Sequence, residues 1–234
     1  MKWLIIAILL VAVVYFYLRL NRPASNRSIQ GGTPGPPWID ADDLRAVQRA
    51  VDDDITVLGE VLQSLDKELA GQSLSDAMQR RYERALDDYE AAKESRATVT
   101  AAADVRAVAQ HLEHGRYMAC CLRAEAAGEH RPEHRSPCFF DPAHGPSESD
   151  VAWAPGGAKP REVPVCRQDA DRLVESDEPA IRHVGVGTGQ MPYWQAGPAF
   201  APWVIGYYSA FVIMRDTFAD TRMGRLVGGA DPHV

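Results

Sequence analysis

Between residues 40 and 128 the apolar positions recur at helical spacing. The first run places Leu44, Val47, Val51, Ile55, Leu58, Leu62, Leu65 and Leu69 at steps of 3, 4, 4, 3, 4, 3 and 4. That is close to a heptad seam, with acids and Lys67 outside it. Asp40 or Asp42 supplies an N-cap and Gly71 a stop. Ser73 or Ser75 then caps a second helix, which carries Met78, Tyr82, Ala85, Tyr89 and Ala92 at alternating steps of 4 and 3. A third run holds Val105, Val108, Leu112, Ala119, Leu122 and Ala126 and ends at Gly128. It starts at Asp104, or continues the second helix across a break near residues 98–100. Gly115 falls on its apolar stripe, where a missing side chain lets another helix come close. Connections this short join antiparallel neighbours, so the pattern predicts a helical hairpin or three-helix coiled coil. The same seam serves packing within the chain or against another subunit.

After Gly128 the helical period stops and Pro, Gly, His and aromatic residues increase. Val151 and Trp153 alternate, residues 155–159 turn, and Val163 and Val165 return, which predicts a β-hairpin over residues 150–166. Residues 169–175 have the length of one or two helical turns. A second hairpin fits residues 182–195 around Gly187-Thr-Gly-Gln190. Residues 129–215 therefore read as a small α+β module with two β-hairpins and an apolar docking segment. The uncharged stretch of residues 198–214 is that segment. Pro198, Pro202 and Gly206 interrupt it as a membrane span, and Trp203, Tyr207 and Tyr208 suit an interface. Residues 216–234 read as a flexible tail.

Residues 3–18 carry no charge and lie between Lys2 and Arg19. As a helix they would be roughly 24 Å long, near the ~30 Å of a hydrocarbon core, with the flanking cations able to snorkel. A cleaved signal peptide needs small residues directly after the apolar run, whereas Arg19-Leu-Asn-Arg22 follows here. Residues 1–20 thus read as a retained transmembrane helix. Arg19, Arg22 and Arg27 against Lys2 place the body of the protein on the cytoplasmic side of an inner membrane. Residues 21–39 are a Pro/Gly linker.

The formal net charge is −7. The segment from Asp40 to Glu94 has 15 acidic and 7 basic residues, so it holds the whole surplus. The sequence has no basic stripe with interleaved aromatics, which argues against nucleic acid as a partner. Asp52, Asp53 and Asp54, and Asp87 with Asp88, read as solvated acids on polar helix faces. Gly185-Val-Gly187-Thr-Gly189 lacks the Lys-Ser/Thr and following helix of a phosphate loop and fits a turn better.

The candidate chemistry is a metal site. Cys138, His144 and Cys166 offer thiolate and imidazole donors suited to zinc, with Cys120, Cys121 or Asp169 as a fourth. This set lacks the usual pair of ligands two to four residues apart, since Cys138 and His144 are six apart and no cysteine follows Cys166, which weighs against zinc and favours buried apolar cysteines. A cysteine nucleophile with His144 as base finds no third group in a motif context. No cofactor, small-molecule substrate or catalytic constellation stands out.

The run Cys138-Phe-Phe-Asp-Pro-Ala-His-Gly-Pro-Ser147 is followed by Trp153-Ala-Pro-Gly-Gly157, Val163-Pro-Val-Cys166 and Pro192-Tyr-Trp-Gln-Ala-Gly-Pro198. Together, and in this order, they resemble a group of single-pass membrane proteins of actinobacteria, over nearly the whole chain. The group supplies no catalytic residues to carry over. Proteins of this kind are associated with accessory subunits of mycobacterial cell-envelope lipid transporters of the Mce type. The resemblance therefore implies a non-enzymatic accessory or scaffold subunit with protein partners in a membrane complex. A membrane-tethered zinc-binding interaction module is the alternative, and a membrane-tethered hydrolase a further one.

Overall fold

The computed structural model describes residues 41–155 and 159–210. The expected anchor at 1–20, the linker at 21–39 and the tail at 216–234 lie outside the described residues. Among the described residues no helix is long and apolar enough to cross a membrane.

Three long helices come first: α1 (Ala41–Leu69), α2 (Asp76–Ala97) and α3 (Val105–Ala126). Gly71, at φ +79°, turns the chain after α1, and the Ser75 side chain caps α2 by accepting from Met78 N–H. The pairing is antiparallel from α1 to α2. Arg96 near the end of α2 bonds Asp52 early in α1, and Tyr82 early in α2 bonds Asp66 late in α1. The pairing from α2 to α3 is antiparallel too, with Arg81 on Glu125. A 3₁₀ turn, Ala102–Asp104, leads into α3. The Asp104 carboxylate accepts from the N–H groups of Thr100 and Ala101 at the turn's entrance, which holds its pKa below the usual carboxylate value.

The heptad seam faces this chain's own helices. Val47, Val51, Leu58, Leu62, Leu65 and Leu69 are buried, and Leu44 and Ile55 pack against the same core. Gly115 does what its place on the stripe suggested. A Cβ there would meet Leu58 Cδ2 at 3.1 Å and Asp88 Cβ at 3.3 Å, so its absence lets α1 and α2 close on α3.

The module follows as two antiparallel ribbons and two short helices. Strands β1 (Ser149–Trp153) and β2 (Arg161–Val165) pair with Val151 opposite Val163. Helix α4 (Arg167–Val174) leaves β2 at Cys166. Strands β3 (His183–Val186) and β4 (Gly189–Pro192) pair across a two-residue turn, where Gly187 takes φ +60°. Both expected hairpins are present.

Helix α5 (Ala201–Tyr208) then lies against α3 and α1. Its Trp203, Tyr207 and Tyr208 are buried, so they serve the core rather than a membrane interface. Gly206 permits the approach. A Cβ there would fall 2.5 Å from Ala109 Cβ and 2.6 Å from the Arg106 carbonyl oxygen.

One expectation is overturned: Asp54 is not solvated. Ala46, Ala50 and Asp54 form a second buried strip on α1, one helical turn apart, which receives the module. Asp54 Oδ2 accepts from Trp203 Nε1 at 2.9 Å and Tyr207 Oη at 2.8 Å, and Arg182 Nη2 lies 3.2 Å from Oδ1. Buried Arg116 of α3 donates to Tyr207 Oη at 2.6 Å and to the Asp54 carbonyl at 2.9 Å. Burial raises the Asp54 pKa above the usual carboxylate value, with Arg116 and Arg182 opposing it. Asp88 is likewise buried, because Gly115 brings α3 over it.

Four outcomes are expected. Gly206→Ala destabilises the protein by about 1–3 kcal/mol in chemical denaturation, because the new methyl meets backbone. Gly189→Ala, which meets nothing within 4 Å, changes stability by less than about 0.5 kcal/mol. Asp54→Ala costs about 3–5 kcal/mol, since it leaves buried Arg116 without its nearest carboxylate and removes the acceptor of Trp203 and Tyr207. Asp104 stabilises the native state above its ordinary pKa of 3.8. That contribution fades as pH falls through the lower native value, so acid titration of wild type and Asp104→Ala should converge at the acid end.

Candidate metal centre

Two chain segments meet at Cys138, His144, Cys166 and Asp169. One donor atom from each lies within 4.8 Å of the other three. Cys138 opens a loop closed by the Pro137–Pro146 bridge and by its N–H donating to the Gly145 carbonyl at 2.9 Å. Inside that loop Asp141 Oδ1 accepts from Ala143 N–H and caps a 3₁₀ turn, Pro142–His144. Gly145, at φ +86°, reverses the chain and leaves His144 facing back towards Cys138. The β1–β2 ribbon then brings Cys166 to the same place as the N-cap residue of α4. Asp169 follows on the first turn, where backbone N–H groups favour anionic side chains.

Asp169 is fully buried and divided in its bonding. Its Oδ1 accepts from Ala180 N–H at 2.9 Å and Arg172 Nη1 at 3.2 Å. Oδ2 is left to the cluster, 2.9 Å from His144 Nδ1, 3.3 Å from Cys138 Sγ and 3.4 Å from Cys166 Sγ. Cys166 Sγ lies 3.7 Å from the same His144 Nδ1. A tetrahedral zinc with sulfur at ~2.3 Å and nitrogen or oxygen at ~2.1 Å has edges of about 3.6 Å from sulfur to nitrogen or oxygen. The Cys166–His144 separation is close to that, and the two separations from sulfur to Asp169 Oδ2 fall short of it. The His144–Asp169 separation is shorter, at hydrogen-bond length.

The electrostatics follow from crowding. The hydrogen bond from the Cys138 thiol lowers the Cys166 pKa to about 5, against the effect of burial and with help from His144. Cys138 is raised correspondingly, first by that same bond and then by burial. Burial works against a charged His144, but its bond to Cys166 and the carboxylates of Asp141 and Asp169 outweigh it and raise its pKa. For Asp169 the same burial penalty is overcome by the Ala180 N–H, Cys138 and His144, and its pKa is lowered.

The arrangement does not fit a nucleophilic triad. There the base bonds the nucleophile through one ring nitrogen and its orienting carboxylate through the other. Here Cys166 and Asp169 both face Nδ1 of His144. Four donor atoms within 4.8 Å of one another are compatible with a bound metal ion. The cavity of about 270 Å³ beside Arg49, Asp53, Arg182 and Gln190 contains none of the four.

The sequence singled out Cys138, His144 and Cys166, and the fold brings them together. Of the candidates for a fourth donor, Asp169 joins them, while Cys120 and Cys121 sit on α3 outside the cluster. The four cysteines are free. The close pair that zinc sites use is present after all, as Cys166 and Asp169 three residues apart on a helix start. The loop is also fastened from behind. Tyr208 Oη donates to the Cys138 carbonyl at 2.9 Å and Tyr193 Oη to the Phe139 carbonyl at 2.8 Å. Phe139, Phe140, Trp153 and Trp194 pack ring against ring over it. No family model, curated protein or solved structure matches this chain.

Proposed function

We propose that Cys138, His144, Cys166 and Asp169 hold a structural zinc ion, and that the metal clasps an interaction module belonging to a non-enzymatic membrane protein. The observation that carries this reading is the convergence of two sulfurs, one imidazole nitrogen and one carboxylate oxygen within 4.8 Å, from segments 28 residues apart at their cysteines (166 − 138). Two thiolates and an imidazole favour zinc over magnesium or calcium, which prefer oxygen. Three of the four donors are buried, and His144 is the exposed one.

The wider role rests on the sequence. The apolar residues 3–18 and the arginines after them support a single-pass inner-membrane anchor with a cytoplasmic body. The resemblance to actinobacterial single-pass membrane proteins supports an accessory or scaffold subunit of a cell-envelope assembly, of the Mce lipid-transport type. In such a role the module presents a surface to a partner and turns over nothing.

Elemental analysis of the purified full chain should give one zinc per protein. Cys138→Ser, Cys166→Ser and Asp169→Ala should each lose it, and chelation should lower the unfolding midpoint. Absence of stoichiometric zinc from protein purified without chelators removes the clasp. Affinity purification from native membranes addresses the wider role: co-purifying membrane subunits are expected, and a lone monomer counts against it.

A further inference from the structure

Cys138 and Cys166 are free thiols whose sulfurs lie within 4.8 Å of each other. Their backbones are fastened side by side. Phe139 N–H donates to the Pro164 carbonyl at 2.8 Å, Cys138 N–H to the Gly145 carbonyl at 2.9 Å, and Glu148 N–H to the Val165 carbonyl at 2.8 Å. We propose that Cys138 and Cys166 are a site of reversible oxidation, closed to a disulfide by hydrogen peroxide, and that closure opens the metal clasp. The disulfide needs no metal, whereas the opening rests on the proposed zinc site.

Three features support this. The first is reach. A disulfide bond is about 2.05 Å long, so the sulfurs have a gap of at most about 3 Å to close, shared between two side chains that turn about their Cα–Cβ bonds. The second is access. Cys138 has no exposed surface, while Cys166 is 8% exposed at the N-cap position of α4, next to the exposed His144. A small oxidant therefore meets Cys166 first, and Cys138 stands behind it as the resolving thiol. The third is contrast. Cys120 and Cys121 are consecutive on α3 and lie outside the cluster, and consecutive helical side chains do not face each other.

In the first step the Cys166 sulfur, its proton given up, attacks one oxygen of hydrogen peroxide. The O–O bond breaks, a sulfenic acid forms, and the departing hydroxide takes up a proton to become water. The Cys138 sulfur then attacks the Cys166 sulfur. The S–O bond breaks, the S–S bond forms, and the leaving hydroxide takes the Cys138 proton as a second water. The two sulfurs lose two electrons between them and the peroxide gains both. Asp169 Oδ2 thereby loses the two thiols that face it at 3.3 and 3.4 Å. A zinc ion loses both thiolates, and His144 with Asp169 is half of a tetrahedral shell.

The test treats the full chain, metal-stripped or zinc-loaded, with one equivalent of hydrogen peroxide. Remaining thiols are then alkylated and the peptides mapped by mass spectrometry. The folded protein should give a linked Cys138–Cys166 peptide, with Cys120 and Cys121 alkylated, and dithiothreitol should reverse the link completely. In urea the pairing should scatter over the four cysteines. Cys138→Ser should abolish the link and trap Cys166 as a sulfenic acid that a dimedone probe labels, and Cys120→Ser with Cys121→Ser should leave the link unchanged. Zinc-loaded protein should release one zinc to a colorimetric chelator for each link formed. A main product linked through Cys120 or Cys121, sulfinic acid at Cys166 with no link, or no reaction overturns the pair. A link formed with zinc retained overturns the opening of the clasp. A link in a chain that never binds zinc leaves the oxidation site standing and sinks the clasp, and stoichiometric zinc without a link does the reverse.

Discussion

The carboxylate of Asp54 is the constraint around which the described residues are arranged. It is an acid at a position with no exposed surface, and such a group is tolerated only beside donors and counter-charges. Those come from three places far from α1 in sequence: Arg116 on α3, Arg182 ahead of β3, and Trp203 with Tyr207 on α5. A buried ion network of this kind roughly breaks even against apolar packing, but an incomplete one is costly. Its effect is therefore to penalise other placements of α5 and the module on the bundle. Apolar contacts alone would allow α5 to slide, whereas one carboxylate with two aromatic donors allows one seat.

The same helix reaches the candidate metal centre. Tyr207 faces Asp54, and its neighbour Tyr208 donates to the Cys138 carbonyl. Tyr208 also touches Tyr193 Oη, which holds the Phe139 carbonyl. Two adjacent residues thus bind the bundle's buried charge and the ligand loop's backbone. Rigid support of this sort lets a four-donor site keep its geometry, because ligands on loops need their backbone held as firmly as their side chains.

Much of this was legible in the sequence. The three helices followed from the spacing of Leu, Val and Ala, and both hairpins from alternation around glycine turns, because these are local rules. Cys138, His144 and Cys166 stood out as donors by type. What escaped notice depends on distant chain. Asp54 reads as the third of three consecutive acids off the heptad seam, and its burial comes from residues 149 and 153 positions later. The strip of Ala46, Ala50 and Asp54 was the available signal, since small residues one turn apart mark a face that something packs against. Asp169 was named only among alternatives, because a search for paired cysteines and histidines passes over a carboxylate as the second member of the pair. The burial of Trp203 and Tyr208 was hidden for a related reason: an apolar segment shows that it must be covered and leaves open by what.

The span between Asp54 and Tyr207 also bears on the order in which the chain can assemble. Synthesis releases α1, α2 and α3 well before α5 exists, and at roughly 5–20 residues per second the gap is several seconds or more. During that interval Asp54 and Arg116 lack the partners that make their burial tolerable, so that side of the nascent bundle has reason to stay hydrated and loosely packed. Contacts of such long sequence separation are slow to form, because the loop must close before any contact rewards it. The final helix thus acts as a late-arriving keystone. Until it docks, Asp54 and Arg116 are without Trp203 and Tyr207, the groups they bind in the folded chain.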